Sequence, residues 1–280
     1  MMLFKTLLLA LTTFLITTAL GAPSQHMARD PGLDKPTIEP PAPNLDWHLT
    51  RLLKGPIVEE VKFWDNGKIN QQCKDVFQKN GFKIEDILMF HVHYSDCYLP
   101  WTMCAHKAAQ WTAPLIALNI GLIPPNMRVW IRHVIALPGE ARTSALNFSV
   151  LIHGQATMQD IFASAAPGFG QGIMGDGKPY WAKQPWLDAY AADSAVLNDK
   201  AKANQKENFA QMNVVAMAEF ENPGCWKDAI PQLEKLRHQV DVIKTELGRY
   251  FNTIEGVKCE ARWLVDTPVG LPEELPDYGA

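Results

Sequence analysis

The 280-residue sequence predicts a single α+β domain with strands and loops in its N-terminal half and helices in its C-terminal half. Residues 86–94 combine apolar and aromatic side chains in the manner of a strand, whereas residues 204–220 and 229–251 have strong helical character. Strands that precede helices along a chain favour the α+β class. Hydrophobic residues make up 47% of the chain and charged residues 20%, a globular composition that excludes disordered and coiled-coil proteins.

The other elements follow from local periodicity and from the residues that break it. The periodicity predicts a helix over residues 69–78, a helix over 112–122, a helix that passes into a strand over 127–137 and a helix over 148–162. Gly81 and the pair Pro124–Pro125 mark the ends of the first two helices. Residues 165–185 are rich in glycine, proline and aromatic residues, and we expect them to form a long loop.

The N-terminus has the features of a cleaved signal peptide. Lys5 supplies a positive charge, residues 6–20 are apolar, and Ala19 and Gly21 place small residues at the −3 and −1 positions of a signal peptidase site. The apolar run is shorter than the roughly 20 residues of a transmembrane helix. We therefore expect residues 1–21 to be removed after Gly21 and the mature protein to be secreted into the extracellular space.

Proline-rich segments flank the predicted domain. Residues 22–45 contain six prolines and residues 267–280 contain three, so we expect an extended leader and an extended tail. Residues 46–266 between them form the domain. The net charge of −4 gives no basic footprint, so we expect no nucleic-acid partner. No later segment is closer to a transmembrane span than residues 6–20, so we expect no membrane partner after signal cleavage.

Five cysteines in a secreted chain predict disulfides. Cys97 and Cys104 bracket a short loop, and Cys225 and Cys259 bracket a long helical segment, so these four are the expected disulfide residues. Cys73 is then the odd one, either a free thiol or a competitor for one of these pairs. Spacing alone leaves the connectivity open.

One modification site is present in the sequence. Asn147, Phe148 and Ser149 form the single N-glycosylation sequon. Because the sequon lies in an apolar stretch, its glycosylation depends on Asn147 reaching the surface.

Two groups of residues have side chains that suit a ligand. His91 and His93 are two apart on a predicted strand and so face the same side, but a metal site needs a third ligand, such as His106 or His133, that only the fold could supply. Pairs of this kind are more often structural. The rings of three residues in the predicted long loop suit stacking on sugars, although such residues more often anchor a loop to the core: Tyr180, Trp181 and Trp186.

The most informative segment is residues 151–160, LIHGQATMQD. On a helix, His153 and Thr157 would lie four residues apart on one face, which is the spacing of the two zinc ligands in the HExxH motif of metalloproteases. Gly154 stands at the position of the glutamate, and Thr157 stands at that of the second histidine. By itself the segment is one histidine in an apolar helix and not a motif.

The chain resembles the fungal conidiation-specific secreted proteins in four segments taken together: residues 91–110, 127–139, 151–160 and 207–220. That family looks like a group of zincin-type metalloproteases with a pattern close to FIHExxHSLD and a later E-D-[FY]-A-Q helix. The resemblance implies a zincin-like scaffold in which His153 matches the first zinc ligand. It also implies that Glu207 and Asn208 match the acidic pair that would supply a third ligand.

These correspondences imply a metalloprotease site that has decayed. One imidazole and one carboxylate are left of a site that needs three protein ligands and a catalytic base. We therefore assign no catalytic residue, metal or cofactor. We expect a non-catalytic protein that binds an extracellular protein or glycan, or that acts at the fungal surface during conidiation or host interaction. Two alternatives stay open. One is a secreted hydrolase that uses rebuilt residues in the same cleft, such as Asp160, Glu207 or the histidines of the predicted strand over residues 86–94. The other is a structural component of the cell wall.

Overall fold

The computed structural model describes residues 32–65 and 67–252, together with Cys259 and the backbone of residues 268–270. The predicted signal peptide, residues 1–21, and most of the predicted tail, residues 267–280, lie outside the described residues. Within the described part of the chain, no helix is long and apolar enough to span a membrane.

The described residues form eight α-helices: α1 (Asp46–Leu52), α2 (Gln71–Lys79), α3 (Ala113–Gly121), α4 (Pro125–Arg128), α5 (Met158–Gly172), α6 (Gln184–Ala192), α7 (Gln205–Glu221) and α8 (Arg237–Leu247). The same residues form eight strands: β1 (Val58–Phe63), β2 (Lys68–Asn70), β3 (Ile87–Tyr94), β4 (Trp101–His106), β5 (Val134–Leu137), β6 (Arg142–Leu146), β7 (Ser149–His153) and β8 (Pro268–Gly270). Short 3₁₀ turns lie at Ile84–Asp86, Tyr180–Ala182, Ala201–Ala203, Leu233–Leu236 and Gly248–Tyr250.

Six of the strands form a mixed sheet in the order β1-β3-β4-β5-β7-β6. The strands β4, β5 and β7 run parallel at its centre, whereas β1, β3 and β6 pair with their neighbours in antiparallel fashion. β2 and β8 form a separate antiparallel pair. The predicted α+β class is confirmed.

Strand β3 illustrates how the sequence builds this sheet. The side chains of Phe90, Val92 and Tyr94 are buried on one face, and His91 and His93 alternate with them on the other. The central strand β5 is buried at every position and is therefore a continuous apolar run in the sequence.

Helices cover both faces of the sheet. On one face, α2 packs Cys73 and Phe77 against Met89 of β3. The opposite face supports a larger core that contains residues of α1, α3, α5 and α7. In that core, α7 is buried continuously from Asn208 to Glu219, as expected for a helix surrounded by other elements.

Three sequence predictions need correction in the second half of the chain. Residues 148–162 are not one helix, because they contain β7, a turn and the beginning of α5. Residues 165–185 are not one loop, because α5 continues to Gly172. The helix predicted over residues 229–251 begins only at Arg237, after a 3₁₀ turn. A short buried strand and a buried helix both need apolar residues, so the apolar run over residues 148–162 does not reveal where β7 ends and α5 begins.

The described part of the predicted leader, residues 32–45, packs against the domain. The N–H of Ile38 donates a hydrogen bond to the carbonyl oxygen of Val196 at 3.0 Å, and the Ile38 side chain is buried. The ammonium group of Lys35 donates hydrogen bonds to the carbonyl oxygens of Tyr190 and Asp193 at the end of α6. A cation at this end of a helix stabilises the exposed carbonyl groups.

The disulfides join different cysteines from those suggested by sequence spacing. Cys73 pairs with Cys104, and Cys97 pairs with Cys259, which leaves Cys225 as the free cysteine. The expected disulfide role of Cys225 is therefore wrong, and Cys73 is a disulfide residue.

Strand geometry explains this pairing. Cys104 lies in β4 and faces the core beneath α2, where Cys73 lies, whereas Cys97 belongs to the core on the opposite face of the sheet. Two cysteines that are close in sequence are thus separated by the sheet.

Burial raises the pKa of the Cys225 thiol to about 12, and the nearby Glu219 carboxylate adds to this shift.

Candidate functional site

The segment that most resembled a metal-binding motif is a strand, a turn and a helix cap. His153 is the last residue of β7, Gly154 has a φ of 56°, and Thr157 precedes α5. The Oγ1 atom of Thr157 accepts a hydrogen bond from the backbone N–H of Asp160 at 3.1 Å, which is the contact of a helix N-cap. The prediction that His153 and Thr157 share one helix face is therefore wrong.

Gly154 is required by the backbone at its position. A β-carbon there would overlap the carbonyl oxygen of Gly139 and lie 2.9 Å from the carbonyl carbon of Glu140. The N–H of Gly154 donates a hydrogen bond to the carbonyl oxygen of Leu137 at 3.0 Å, which ties the turn to β5. A glutamate, which the resemblance would place here, does not fit this backbone.

The other positions matched to the metalloprotease family lie across the sheet from His153. Ile152 faces the core that contains α7, so His153, the next residue along β7, faces the opposite side. Glu207 and Asn208 lie in the first turn of α7, and the Nδ2 atom of Asn208 donates a hydrogen bond to Oε1 of Gln239 at 2.6 Å. In the described part of the chain, no group of three or more His, Cys, Asp or Glu residues is arranged to hold a metal ion.

His153 has a distinctive electrostatic environment. Its side chain is buried, and the Nη2 atom of Arg142 lies 3.4 Å from its Nδ1 atom. Burial lowers the pKa of His153 below 6.5, the positive charge of Arg142 lowers it further, and a hydrogen bond with the backbone of Pro138 opposes both effects. The imidazole is therefore neutral near pH 7. Asp160, a candidate residue of a rebuilt site, is paired with Lys200.

The remaining candidate ligands have separate environments. His91 and His93 share one face of β3, as predicted. Each of the four histidines contacts a different neighbour: His91 packs edge-on against Trp64, His93 lies beside Glu59, His106 stacks on Phe77, and the Nδ1 atom of His133 lies 3.1 Å from the carbonyl oxygen of Thr102.

The sequon asparagine lies at a hairpin tip. Asn147 and Phe148 form the two-residue turn between β6 and β7, and both have positive φ angles, which is the conformation of a tight hairpin turn. Asn147 is exposed, whereas Ser149 is buried and its hydroxyl donates a hydrogen bond to Oε1 of Gln72 at 2.9 Å. The amide of Asn147 is thus at the surface.

A cleft of about 210 Å³ lies where the C-terminal ends of α5 and α8 meet the beginning of α6. We call it the α5–α8 cleft. Its lining consists of Ile173, Met174, Tyr180, Lys183, Pro185, Glu246, Leu247, Arg249 and Tyr250. The volume lies below the range of about 300–1,000 Å³ that is typical of pockets for drug-sized ligands, so the cleft suits a small ligand or one ring of a larger one.

Tyr180 is the most deeply buried residue of the cleft. Its ring centroid lies 5.3 Å from that of Phe209 in α7, which fixes the ring against the core. Burial raises the pKa of Tyr180, and the nearby Glu246 carboxylate raises it further. The phenol therefore keeps its proton, and its hydroxyl donates a hydrogen bond to the carbonyl oxygen of Val242 at 3.5 Å.

Charged side chains surround the opening of the cleft. Lys183 forms an ion pair with Asp176, and this contact lowers the pKa of the Asp176 carboxyl. The guanidinium carbon of Arg249 lies 4.8 Å from the centroid of the Tyr250 ring, and its Nη2 atom donates a hydrogen bond to the Tyr250 hydroxyl at 2.8 Å. Arg249 and Tyr250 thus hold each other at the edge of the cleft.

The sequence pattern indicates one residue of this cleft. Tyr180 is among the three aromatic residues that suit stacking on a ligand. Trp186, another of the three, is buried and its Nε1 atom donates a hydrogen bond to Gln205, so it anchors the loop to the core. Glu246 and Arg249 come from the end of a helix far along the chain, and no local pattern links the two segments.

Comparison with known proteins yields one family and one curated relative. A family model described as conidiation-specific protein Con-13 matches residues 49–280. Conidiation-specific protein 13 of Neurospora crassa is 23% identical over 232 residues, which cover 78% of this chain and 65% of the relative, or less than two thirds of its length. No solved structure matches the chain, so a zincin-like scaffold has no support from a structural relative. The resemblance to conidiation-specific proteins is confirmed.

Proposed function

The chain belongs to the Con-13 family of conidiation-specific proteins, and from that membership we propose that it is a secreted protein that binds an extracellular partner through the α5–α8 cleft. Its relation to the Neurospora crassa protein supports a conidiation-linked role. In this proposal the protein binds without catalysing a reaction, and the partner is a protein or a glycan at the fungal surface or at the surface of a host.

Secretion is supported by two independent features. Residues 1–21 have the sequence pattern of a signal peptide. The disulfides Cys73–Cys104 and Cys97–Cys259 are of a kind that persists in oxidising compartments and is rare in the cytosol.

The observation that carries the binding proposal is the α5–α8 cleft. It joins an apolar lining to a few converging polar groups, and one of these, Tyr180, has a strongly perturbed pKa. This combination is typical of ligand-binding sites. Tyr250 and Arg249 give the cleft an edge that a ligand can contact from solvent.

Binding without catalysis is supported by the surroundings of His153. The backbone at Gly154 has no room for a catalytic glutamate, and Glu207 and Asn208 lie across the sheet from the imidazole. This proposal does not include a metalloprotease scaffold. The spacing of His153 and Thr157 that suggested one lies in a strand and a turn, and not on a helix.

Expression of a tagged copy of the full chain in a conidiating fungus tests the proposal. We expect the protein to lose residues 1–21 and to be recovered from the medium and from the surface of washed conidia. The variant Met174→Trp places a large side chain at the half-buried edge of the cleft. We expect this variant to be secreted equally well but not to be retained on conidia.

Leu115→Trp is the matched control, because Leu115 is an exposed apolar residue outside the cleft lining. It should be retained like the wild-type protein. Retention of the wild-type chain inside cells, or equal conidial retention of Met174→Trp, would contradict the proposal. Protein that resists extraction from the wall fraction would favour the structural wall component instead.

A secreted hydrolase is the second candidate function, and it is favoured by the buried, neutral His153, since an unprotonated imidazole can act as a general base. The purified protein should be assayed on peptides, esters and glycosides with and without a chelator. Activity that disappears in His153→Ala, in a protein that is still folded, would replace the binding proposal with the hydrolase.

A further inference from the structure

Strand β1 lies at the edge of the six-stranded sheet and, in the described part of the chain, pairs with β3 alone. The N–H of Trp64, the residue after β1, donates a hydrogen bond to the carbonyl oxygen of Met89 at 2.9 Å. Because backbone groups alternate in direction along a strand, Lys62 also faces β3, whereas the N–H and C=O groups of Val61 and Phe63 point away from it. These outward groups form a row that can pair with another strand. We call residues 60–63 the β1 edge.

The β1 edge carries two exposed charges that form no ion pair with any described residue, those of Glu60 and Lys62. They lie opposite His93 and His91 of β3, so their side chains share one face of the sheet. Glu59 differs from them, because its carboxylate lies 3.0 Å from the Nδ1 atom of His93. An acid and a base two residues apart on an edge strand are thus both available to a partner.

The opposite face of the β1 edge is apolar. Val61 lies opposite Val92 and Phe63 opposite Phe90, and both of these β3 residues belong to the larger core. The Phe63 ring contacts Phe90, with the centroids 5.9 Å apart, yet 52% of Phe63 is exposed. Removal of this apolar surface from water would stabilise the pairing of β1 with an additional strand.

Symmetry and charge select one register in which β1 can pair with β1 of a second copy. The two-fold axis of such an antiparallel pair is perpendicular to the sheet and keeps every side chain on its own face, so it relates one residue to its own copy. An axis at Glu60 would oppose two glutamates, and an axis at Lys62 would oppose two lysines, which destabilises pairing. An axis at Val61 opposes Glu60 of each copy to Lys62 of the other.

We propose that two copies of the chain associate through their β1 edges, as antiparallel strands with Val61 on the two-fold axis. The N–H of each Val61 then donates to the carbonyl oxygen of the other, and Glu60 pairs with Lys62 on both sides of the axis. Phe63 of each copy lies diagonally across from Val61 of the other. The β-bulge between Val58 and Glu60 ends the regular part of the edge, so the paired segment is short and the dimer is weak.

This association goes beyond the proposed function and uses no residue of the α5–α8 cleft lining. Sedimentation equilibrium of the purified, disulfide-bonded protein from about 1 µM to about 500 µM tests it, and we expect a reversible equilibrium of monomer and dimer. Glu60→Lys and Lys62→Glu should each weaken dimerisation about tenfold, because each places like charges opposite one another on both sides of the axis. The variant with both substitutions should regain the wild-type affinity, because unlike charges are again opposed.

A mixture of the two single variants tests the register itself. The Glu60→Lys chain presents two cations on this face and the Lys62→Glu chain presents two anions, so the two chains should associate with each other more tightly than either associates with itself. Asp228→Lys and Lys227→Glu are the matched controls, because they make the same charge changes at exposed residues outside β1. Both controls should dimerise like the wild-type protein.

Hydrogen exchange of backbone amides reports the pairing of the strands directly. Exchange at Val61 should slow as the protein concentration rises, whereas exchange at Lys62, whose N–H faces β3, should not change. The proposal is overturned if the protein stays monomeric over the whole concentration range or if exchange at Val61 does not depend on concentration. It is equally overturned if the double variant does not regain affinity, or if a control weakens dimerisation as much as Glu60→Lys does.

Discussion

The carbonyl oxygen of Gly139 occupies the space that a β-carbon on Gly154 would need. Gly139 follows β5 and Gly154 follows β7, so this contact is where the loops after two parallel strands meet. This steric overlap accounts for the glycine at position 154, where the resemblance would place a catalytic glutamate. The position accommodates no side chain, whatever the ancestry of the segment.

Gly154→Ala should destabilise the fold by about 2–4 kcal/mol, because it adds the strain of a positive φ to a steric overlap with backbone. Chemical denaturation followed by tryptophan fluorescence measures this change. Gly175→Ala is the control, since a β-carbon on Gly175 meets nothing within 4 Å. Equal stability of both variants would show that the two loops do not meet as described.

The disulfide pairing predicts distinct effects for two cysteine variants. Cys73→Ser should lower the free energy of unfolding by roughly 3–4 kcal/mol, because it opens a bridge between residues 31 positions apart. Cys225→Ser should change stability much less, since Cys225 is not bridged. Peptide mapping of the unreduced protein should recover Cys73 linked to Cys104, and a Cys97–Cys104 peptide would contradict the fold.

His153 should make stability depend on pH in a defined direction. Its pKa in the folded protein lies below the value of 6.5 expected in the unfolded chain, so the unfolded chain binds a proton first as the pH falls. The neutral His153 side chain therefore contributes fully to the unfolding free energy above pH 6.5, and this contribution is lost as the pH falls through the folded-state pKa. The difference in unfolding free energy between wild type and His153→Gln should therefore shrink from pH 7.5 to about pH 5. Unfolding free energies of wild type and His153→Gln that change in parallel with pH would contradict this environment of His153.

Asn147 should carry an N-linked glycan when the chain is secreted, because its amide is exposed at a hairpin tip. N-glycosidase should lower the mass of the secreted protein. Asn147→Asp removes the acceptor amide and keeps a residue that tolerates positive φ, so it should abolish the shift without disturbing the hairpin. A secreted protein whose mass equals that of the polypeptide would refute this prediction.

The elements that the sequence predicted well are those with a single consistent local signal. Helix α2 ends beside Gly81, and α3 ends before Pro124, because each breaker lies at the end of an uninterrupted helical period. Strand β3 alternates buried and less buried residues, and this pattern is directly visible in residues 86–94.

The elements that the sequence did not predict depend on contacts between distant segments. The strand β7 is stabilised by pairing with β5 and β6, which no local pattern within residues 148–162 reveals. The disulfides depend on which face of the sheet Cys104 occupies. The α5–α8 cleft exists because the ends of two helices meet around Tyr180.

The most direct test of the account is equilibrium binding of the purified protein to washed conidia. Wild-type protein and the control Leu115→Trp should bind saturably with the same affinity, and Met174→Trp should bind at least about tenfold more weakly while it unfolds at the same denaturant concentration. That result would identify the α5–α8 cleft as the working surface of the protein. Equal binding by all three proteins, or no saturable binding by the wild type, would contradict the account.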